Sequence, residues 1–311
     1  MKKKLLILAK LLLSGLLLAY VLSDIDISII LDSLKNVSIT WLLIAISLNG
    51  VGKVLSGFRW KFLLRAQSVE VPVIKLINSL FVGHFFNIFL PTTVGGDVVR
   101  VYDVSKHSKK TAQSVSTVIV ERMMGILALA ILAILGIVIG LFVGLKVSSF
   151  VGMVSLVLVF TLLGFIIIFN RFLIKVLCKF LEGFKLQKVK RKIWNLHEAF
   201  MFIRSKDNAL RVTFLYSLAL QINVVFHYYF ISVALDLDVI LGYFFVIVPI
   251  IIILLMLPIS INGIGLRENA YVFLFAYIGV AGQDAIALSW VAFGIVLFHG
   301  VMGGLVYAFR R

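Results

Sequence analysis

The chain has 311 residues, 62% of them hydrophobic and only 14% charged, with a formal net charge of +16. Soluble domains carry about half apolar and about a quarter charged residues, so this composition excludes a soluble globular domain and specifies an integral membrane protein. The single cysteine, Cys178, excludes an internal disulfide, and without a CxxC pair or metal-ligand cluster neither a metal nor another cofactor is expected.

A spanning helix needs about 20 apolar residues, and residues 5–22 supply the first. The basic start (Lys2, Lys3, Lys4 and Lys10) imitates a secretory signal, but the apolar stretch is long and no small-x-small cleavage site follows, so retention is expected. Residues 25–37 place apolar side chains at helical spacing opposite charges and read as an interfacial helix. Residues 40–58 form the next span, and a further one lies within 111–145. Spans then follow at 149–169, 209–235 and 284–308, with a second interfacial helix at 172–184. The intervening 185–206 is basic and expected to be mostly solvated, helical against anionic lipids of the cytoplasmic leaflet.

Two apolar runs, 73–90 and 241–257, behave differently, since each ends at a proline, then a glycine-bearing polar turn, then an arginine. Lysine and arginine crowd residues 2–10, 59–75, 106–110, 171–211 and the last two positions, and such blocks belong in the cytoplasm. The acid-bearing loops with Asp24, Asp26 and Asp32, with Asp236 and Asp238, and with Asp284 belong outside. Were the two runs ordinary spans, 106–110 and 171–211 would be forced to the outer face. If each turns at its proline and leaves on the side it entered, every basic block returns to the cytoplasm, together with both termini of a plasma-membrane protein. Because the positive charge is accounted for in this way, no nucleic-acid partner is expected.

The two turns, LPTTVGGDVVR at 90–100 and LPISINGIGLR at 257–267, overlay without a gap. Leu90, Pro91, Gly96 and Arg100 fall on identical residues, while Thr93 and Val94 fall on Ser260 and Ile261. Each turn is preceded by two spans and followed by one, with an odd number of crossings between them. The expected fold is therefore an all-α polytopic membrane protein, six full spans plus two re-entrant helical hairpins arranged as inverted repeats. The whole of 1–311 is one transmembrane domain: 1–146 is the first repeat with its hairpin at 73–106, and 147–311 the second with its hairpin at 241–280 and a cytoplasmic basic segment at 170–208.

Proline removes a backbone donor and clashes with the preceding turn, and in hydrocarbon such a break survives only when buried in protein or lining a watery cavity. The freed amides around Gly95, Gly96, Gly263 and Gly265, the hydroxyls of Thr92, Thr93 and Ser260, and the amide of Asn262 are thus expected to face a central cavity. Amides at a helix start suit a phosphate. Ionised groups near mid-bilayer are costly and need water or a partner, which marks Asp97 with Arg100, Glu121 with Arg122, and Arg267 with Glu268. Asp97 and Arg100, three apart, share a face and can pair with each other or with the opposite hairpin. Arg267 and Glu268 are adjacent, so at least one of them should find its partner elsewhere. Asn87 and His84 precede the first break and fit its wall, while Gln221 and Asn223 fit either a cavity wall or glue between helices. These charges either neutralise one another and pin the hairpins together, or they also hold an anionic head group by forked hydrogen bonds. No catalytic motif is present, and no residue is assigned a catalytic role.

Three stretches, FNIFLPTTVGGDVVRVY, TVIVERMMGIL and LPISINGIGLREN, resemble in order the signatures of the flippase-like family typified by the transmembrane region of lysylphosphatidylglycerol synthetases. The pattern Asn-x-x-x-Pro with Gly-Asp-x-x-Arg falls on Asn87, Pro91, Gly96, Asp97 and Arg100. The turn Gly-x-Gly-x-x-Glu falls on Gly263, Gly265 and Glu268. The resemblance implies a lipid translocase whose partner is a lipid with an anionic or zwitterionic head group, such as an aminoacylated phosphatidylglycerol or a polyprenyl-phosphate sugar carrier. In bifunctional members a soluble aminoacyl-transferase domain follows; this sequence stops at Arg311, so a stand-alone member that makes no lysyl-lipid is expected. A membrane-embedded lipid-modifying transferase and a non-transporting partner of a lipid-modifying enzyme are the alternatives, and a homo-oligomer is compatible with each.

Overall fold

The structure, a computed structural model, describes residues 35, 37–89, 95–142, 144, 150–184, 186–206, 208–256, 260 and 263–309. The expected span 5–22, most of the interfacial helix 25–37, and Pro91, Thr92, Thr93, Pro258 and Asn262 lie outside them.

The described residues form eleven helices and no strand. In chain order they are α1 (Ile39–Ala66), α2 (Val73–Phe89), α3 (Gly95–Ser108), α4 (Thr111–Phe142), α5 (Val151–Phe169) and α6 (Arg171–Gly183), then α7 (Gln187–Arg204), α8 (Ala209–Ala234), α9 (Leu241–Met256), α10 (Leu266–Ala276) and α11 (Gly282–Phe309). Four of these, α1, α4, α8 and α11, are long and apolar enough to cross a membrane alone. α5 and α6 meet at a bend of 71° and would together make a fifth. The bend sits at Asn170, whose side-chain oxygen accepts hydrogen bonds from the Phe172 and Leu173 amides at 2.9 and 3.2 Å and so starts a new helix. Of the six expected spans, the five that fall on described residues thus rest on four helices and this bent pair.

The two proline-terminated runs behave as their length dictates. α2 has 17 residues and α9 has 16, about 25 Å at the usual rise and less than the hydrocarbon layer of about 30 Å. Each is followed after its break by a helix that packs back against it, α3 on α2 and α10 on α9. α1 and α8 lie antiparallel along their lengths. The Ser38 amide donates to the Ala234 carbonyl at 2.8 Å, the His227 ring to the Ala45 carbonyl at 2.8 Å, and Arg59 to the Ser217 hydroxyl at 2.9 Å. His227 is therefore interhelical glue, as is Gln221, which donates to the Gly125 carbonyl at 3.5 Å.

Half of α7 keeps the expected exposure, with Lys188, Arg191 and Lys192 among the exposed residues, but its opposite face packs: Leu196, Ala199, Phe200 and Ile203 recur at helical spacing, the last three are buried, and Phe200 and Ile203 join a cluster with Leu63, Val120 and Met124. Gln67 donates to the Ala199 carbonyl at 2.6 Å, fixing the end of α1 to this helix.

Glycines set the closest approaches between helices that come from opposite halves of the chain. α2 packs on α11, where a Cβ at Gly303 would lie 2.0 Å from the Phe81 carbonyl oxygen. α9 packs on α4, where a Cβ at Gly136 would lie 2.9 Å from Val246. Small residues let backbones come this close where helices associate without a hydrophobic driving force. Backbone cannot yield as a side-chain tip does, so Gly303→Ala should destabilise the protein by about 1–3 kcal/mol. Gly294→Ala, on the same helix with open space around it, should be near neutral. Thermal unfolding of the detergent-solubilised variants checks this, and equal midpoints for the two would contradict the packing described.

Candidate functional site

α3 begins where the first proline turn ends, and its opening residues Gly95, Gly96, Asp97 and Arg100 are all buried. Gly96 lies against α2 so closely that a Cβ there would meet the Gly83 carbonyl at 2.1 Å, and its amide donates to Asn87 Oδ1 at 2.6 Å. Asn87 therefore holds the hairpin shut across the break. This close crossing presents Asp97 and Arg100 to α4 and α1.

Glu121, on α4 and 3% exposed, receives both ends of a cationic clamp. Arg59 Nη2 donates to its Oε1 at 2.6 Å and Arg100 Nη2 to its Oε2 at 2.5 Å. Arg100 also reaches Asp97 at 3.3 Å, and Arg122 donates to the other oxygen of Asp97. The Arg100 guanidinium lies 4.3 Å from the centroid of the Trp60 ring, a cation–π contact that strengthens away from water. Each buried ion costs several kcal/mol of lost hydration, which this mutual pairing offsets. The Nε atoms of Arg59 and Arg100 are buried and have no hydrogen-bond partner among the described residues.

The second hairpin has a smaller cluster. Gly263 and Gly265 carry φ of 75° and 78°, the left-handed region that side chains resist, so glycine is required at both. Glu268 reaches back to accept the Gly265 amide at 2.7 Å and caps α10. Its other oxygen accepts from Arg267 at 2.5 Å, and Arg267 Nε donates to the Ser289 hydroxyl on α11 at 3.0 Å. The Arg267 guanidinium lies 4.0 Å from the Phe293 ring centroid. Ser260 is buried with its hydroxyl unpartnered among the described residues.

Asn87, Gly95, Gly96, Asp97, Arg100, Glu121 and Arg122 thus come together around α3, and Ser260, Gly263, Gly265, Arg267 and Glu268 lie along the second break; Thr92, Thr93 and Asn262 fall outside the described residues. Three expectations change. Arg267 finds the expected partner elsewhere, Ser289, but it also pairs with Glu268, because capping bends the Glu268 side chain back along the first turn. The charges of the first hairpin pair with α1 and α4, and among the described residues no ion pair links the two hairpins. The Gly96 and Gly265 amides, expected free for an anion, are already bonded to Asn87 and Glu268. Sequence reasoning missed Arg59, which falls in the basic block 59–75 and reads there as an orientation signal. Its place two helical turns before the end of α1, directly after the apolar run 40–58, was the available clue.

With this geometry in place, the comparison with known proteins is direct. The family described as the lysylphosphatidylglycerol synthase TM region matches residues 7–304. The chain belongs to that family. Within it, the chain is 24% identical over 276 residues to a UPF0104 membrane protein of Pyrococcus horikoshii, covering 82% of each chain. It is 31% identical over 104 residues to a UPF0104 membrane protein of Methanothermobacter thermautotrophicus, covering 33% of this chain and 31% of the relative. No solved structure matches the chain. As a member of the lysylphosphatidylglycerol synthase TM region family with long apolar helices, the chain is a multi-pass helical membrane protein.

The clamp predicts its own sensitivity. Glu121→Gln leaves two buried guanidinium groups facing each other without their carboxylate, and should cost about 3–5 kcal/mol. Glu182→Gln, which breaks a surface pair with Lys190, should cost under about 1 kcal/mol. Size-exclusion profiles after graded heating in detergent compare the two, and a Glu121→Gln protein as heat-resistant as the Glu182→Gln protein would refute the clamp.

Proposed function

We propose that the protein is a lipid translocase that shelters an anionic head group in a polar groove between two proline-broken hairpins while the acyl chains stay in the bilayer. The observation that carries this reading is a gathering of cations: among the described residues around α3, the guanidinium groups of Arg59, Arg100 and Arg122 share the carboxylates of Asp97 and Glu121. Cations gathered within an apolar layer favour an anion that can enter it. The unpartnered Nε atoms of Arg59 and Arg100 leave donors for phosphate oxygens, which guanidinium forks match well.

Two further features support the reading. α4, α5 and α9 enclose an apolar groove of about 570 Å³ lined by Met123, Ile126, Phe160, Ile253 and others. Met123 adjoins Arg122, so an acyl chain in this groove would continue from a head group at the cluster. The packing of α2 on α11 and of α9 on α4 is what inverted repeats require, since each hairpin then rests on the last span of the other half. Rocking of one half against the other would expose the groove to each leaflet in turn.

Vesicles of phosphatidylcholine containing fluorescent phosphatidylglycerol test this by the rate at which an impermeant quencher reaches label first placed in the inner leaflet. The wild-type protein should raise that rate above the rate in protein-free vesicles, and Arg100→Ala combined with Arg267→Ala should lower it by about tenfold or more. Undiminished movement in the double variant would remove the arginines from the mechanism, and conversion of the labelled lipid to a new product would favour a transferase.

A further inference from the structure

Lys53 sits fourteen residues into α1, far from either end of that helix, where an ammonium group is expensive. Its Nζ lies 3.3 Å from His84 Nδ1 on α2, and the opposite ring nitrogen, Nε2, lies 3.2 Å from the Val296 carbonyl on α11. A carbonyl only accepts, so Nε2 carries the proton and Nδ1 turns its lone pair to the ammonium. The imidazole is therefore neutral and cannot balance the charge. Among the described residues no carboxylate pairs with Lys53.

The position of Lys53 along the helices gives this charge a role. On α11, Ser289 and Phe293 hold Arg267, and Val296, which anchors His84, follows Phe293 by one turn. On α1, Lys53 precedes Trp60, over which Arg100 lies, by two turns or about 10 Å. α1 and α11 run in the same sense in the alternating order of spans, so the cations fall in the sequence Arg267, Lys53, Arg100 through the layer.

We infer that Lys53, oriented by His84, is a third phosphate-binding station, placed between the two arginines, at which an anionic head group pauses in mid-membrane. The inference rests on the translocase reading above and adds to it the residue that covers the middle of the path. Two arginine sites alone would leave the anion to cross the lowest-dielectric stretch without a counter-charge. A cationic side chain on a flexible stem supplies the counter-charge there and can follow a moving anion. His84 holds the ammonium in place without neutralising it.

The same phosphatidylglycerol vesicles test the inference with wild type, Lys53→Gln and Lys53→Arg, alongside a measurement of phosphatidylglycerol retained by each purified protein. Lys53→Gln should move the lipid about tenfold to a hundredfold more slowly, as for loss of one charge-assisted hydrogen bond, and still retain wild-type amounts of lipid at the arginine clusters. Lys53→Arg should restore most of the rate. Retained lipid shows that a slow variant is folded. If wild type moves lipid and Lys53→Gln moves it equally fast, or if Lys53→Arg is as slow as Lys53→Gln, the station is overturned while the translocase reading stands. If wild type moves no lipid, both fall together.

Discussion

The structure depends on one carboxylate. Glu121 is held between Arg59 and Arg100, and so joins α1, the first hairpin and α4 at a single buried point. In a medium of low dielectric such a contact is strong because the alternative, an unpaired ion, is so costly. The same physics dictates what surrounds it. Trp60 lays its ring under Arg100, Asp97 shares its two oxygens between Arg100 and Arg122, and Ser217 on α8 accepts from Arg59 Nη1. Four elements are thereby fixed by groups that would be unstable apart.

The two halves solve the same problem unequally. Each has a short helix that stops at a proline, and each packs that helix on the last span of the other half through glycine. The second hairpin neutralises its arginine with the residue next to it, whereas the first draws on α1 and α4 and, among the described residues, gathers three guanidinium groups on two carboxylates. That asymmetry is why the proposed head-group site centres on α3, with Arg267 on α10 as the lesser station. It also accounts for Gly263 and Gly265: a chain that must turn sharply to cap α10 with Glu268 needs backbone conformations open to glycine.

Much of this was legible in the sequence because membrane insertion enforces simple rules. Proline endings and the placement of the basic blocks separated the long helices from α2 and α9, and isolated charges such as Asp97, Arg100 and Glu121 stood out against the apolar background. What stayed hidden depended on contacts between distant segments. Arg59 lies at the boundary of a basic block, where position along the chain does not distinguish a buried cation from a solvated one. Adjacent residues on a helix normally diverge, so the Arg267–Glu268 pair could not be read without the capping turn that brings them together. The burial of α7 required knowing that the end of α1 lies beside it, although the spacing of Leu196, Ala199, Phe200 and Ile203 already outlined an apolar face.

The central claim is that the cluster around Glu121 holds an anionic head group as part of its normal state. Mass spectrometry of the lipid that co-purifies with the protein after exchange into mild detergent tests it most directly. The account predicts one phosphate-headed anionic lipid enriched well above its share of the source membrane, and lost from the Arg100→Ala protein. A retained lipid mixture that mirrors the bulk membrane, unchanged by that substitution, would contradict it.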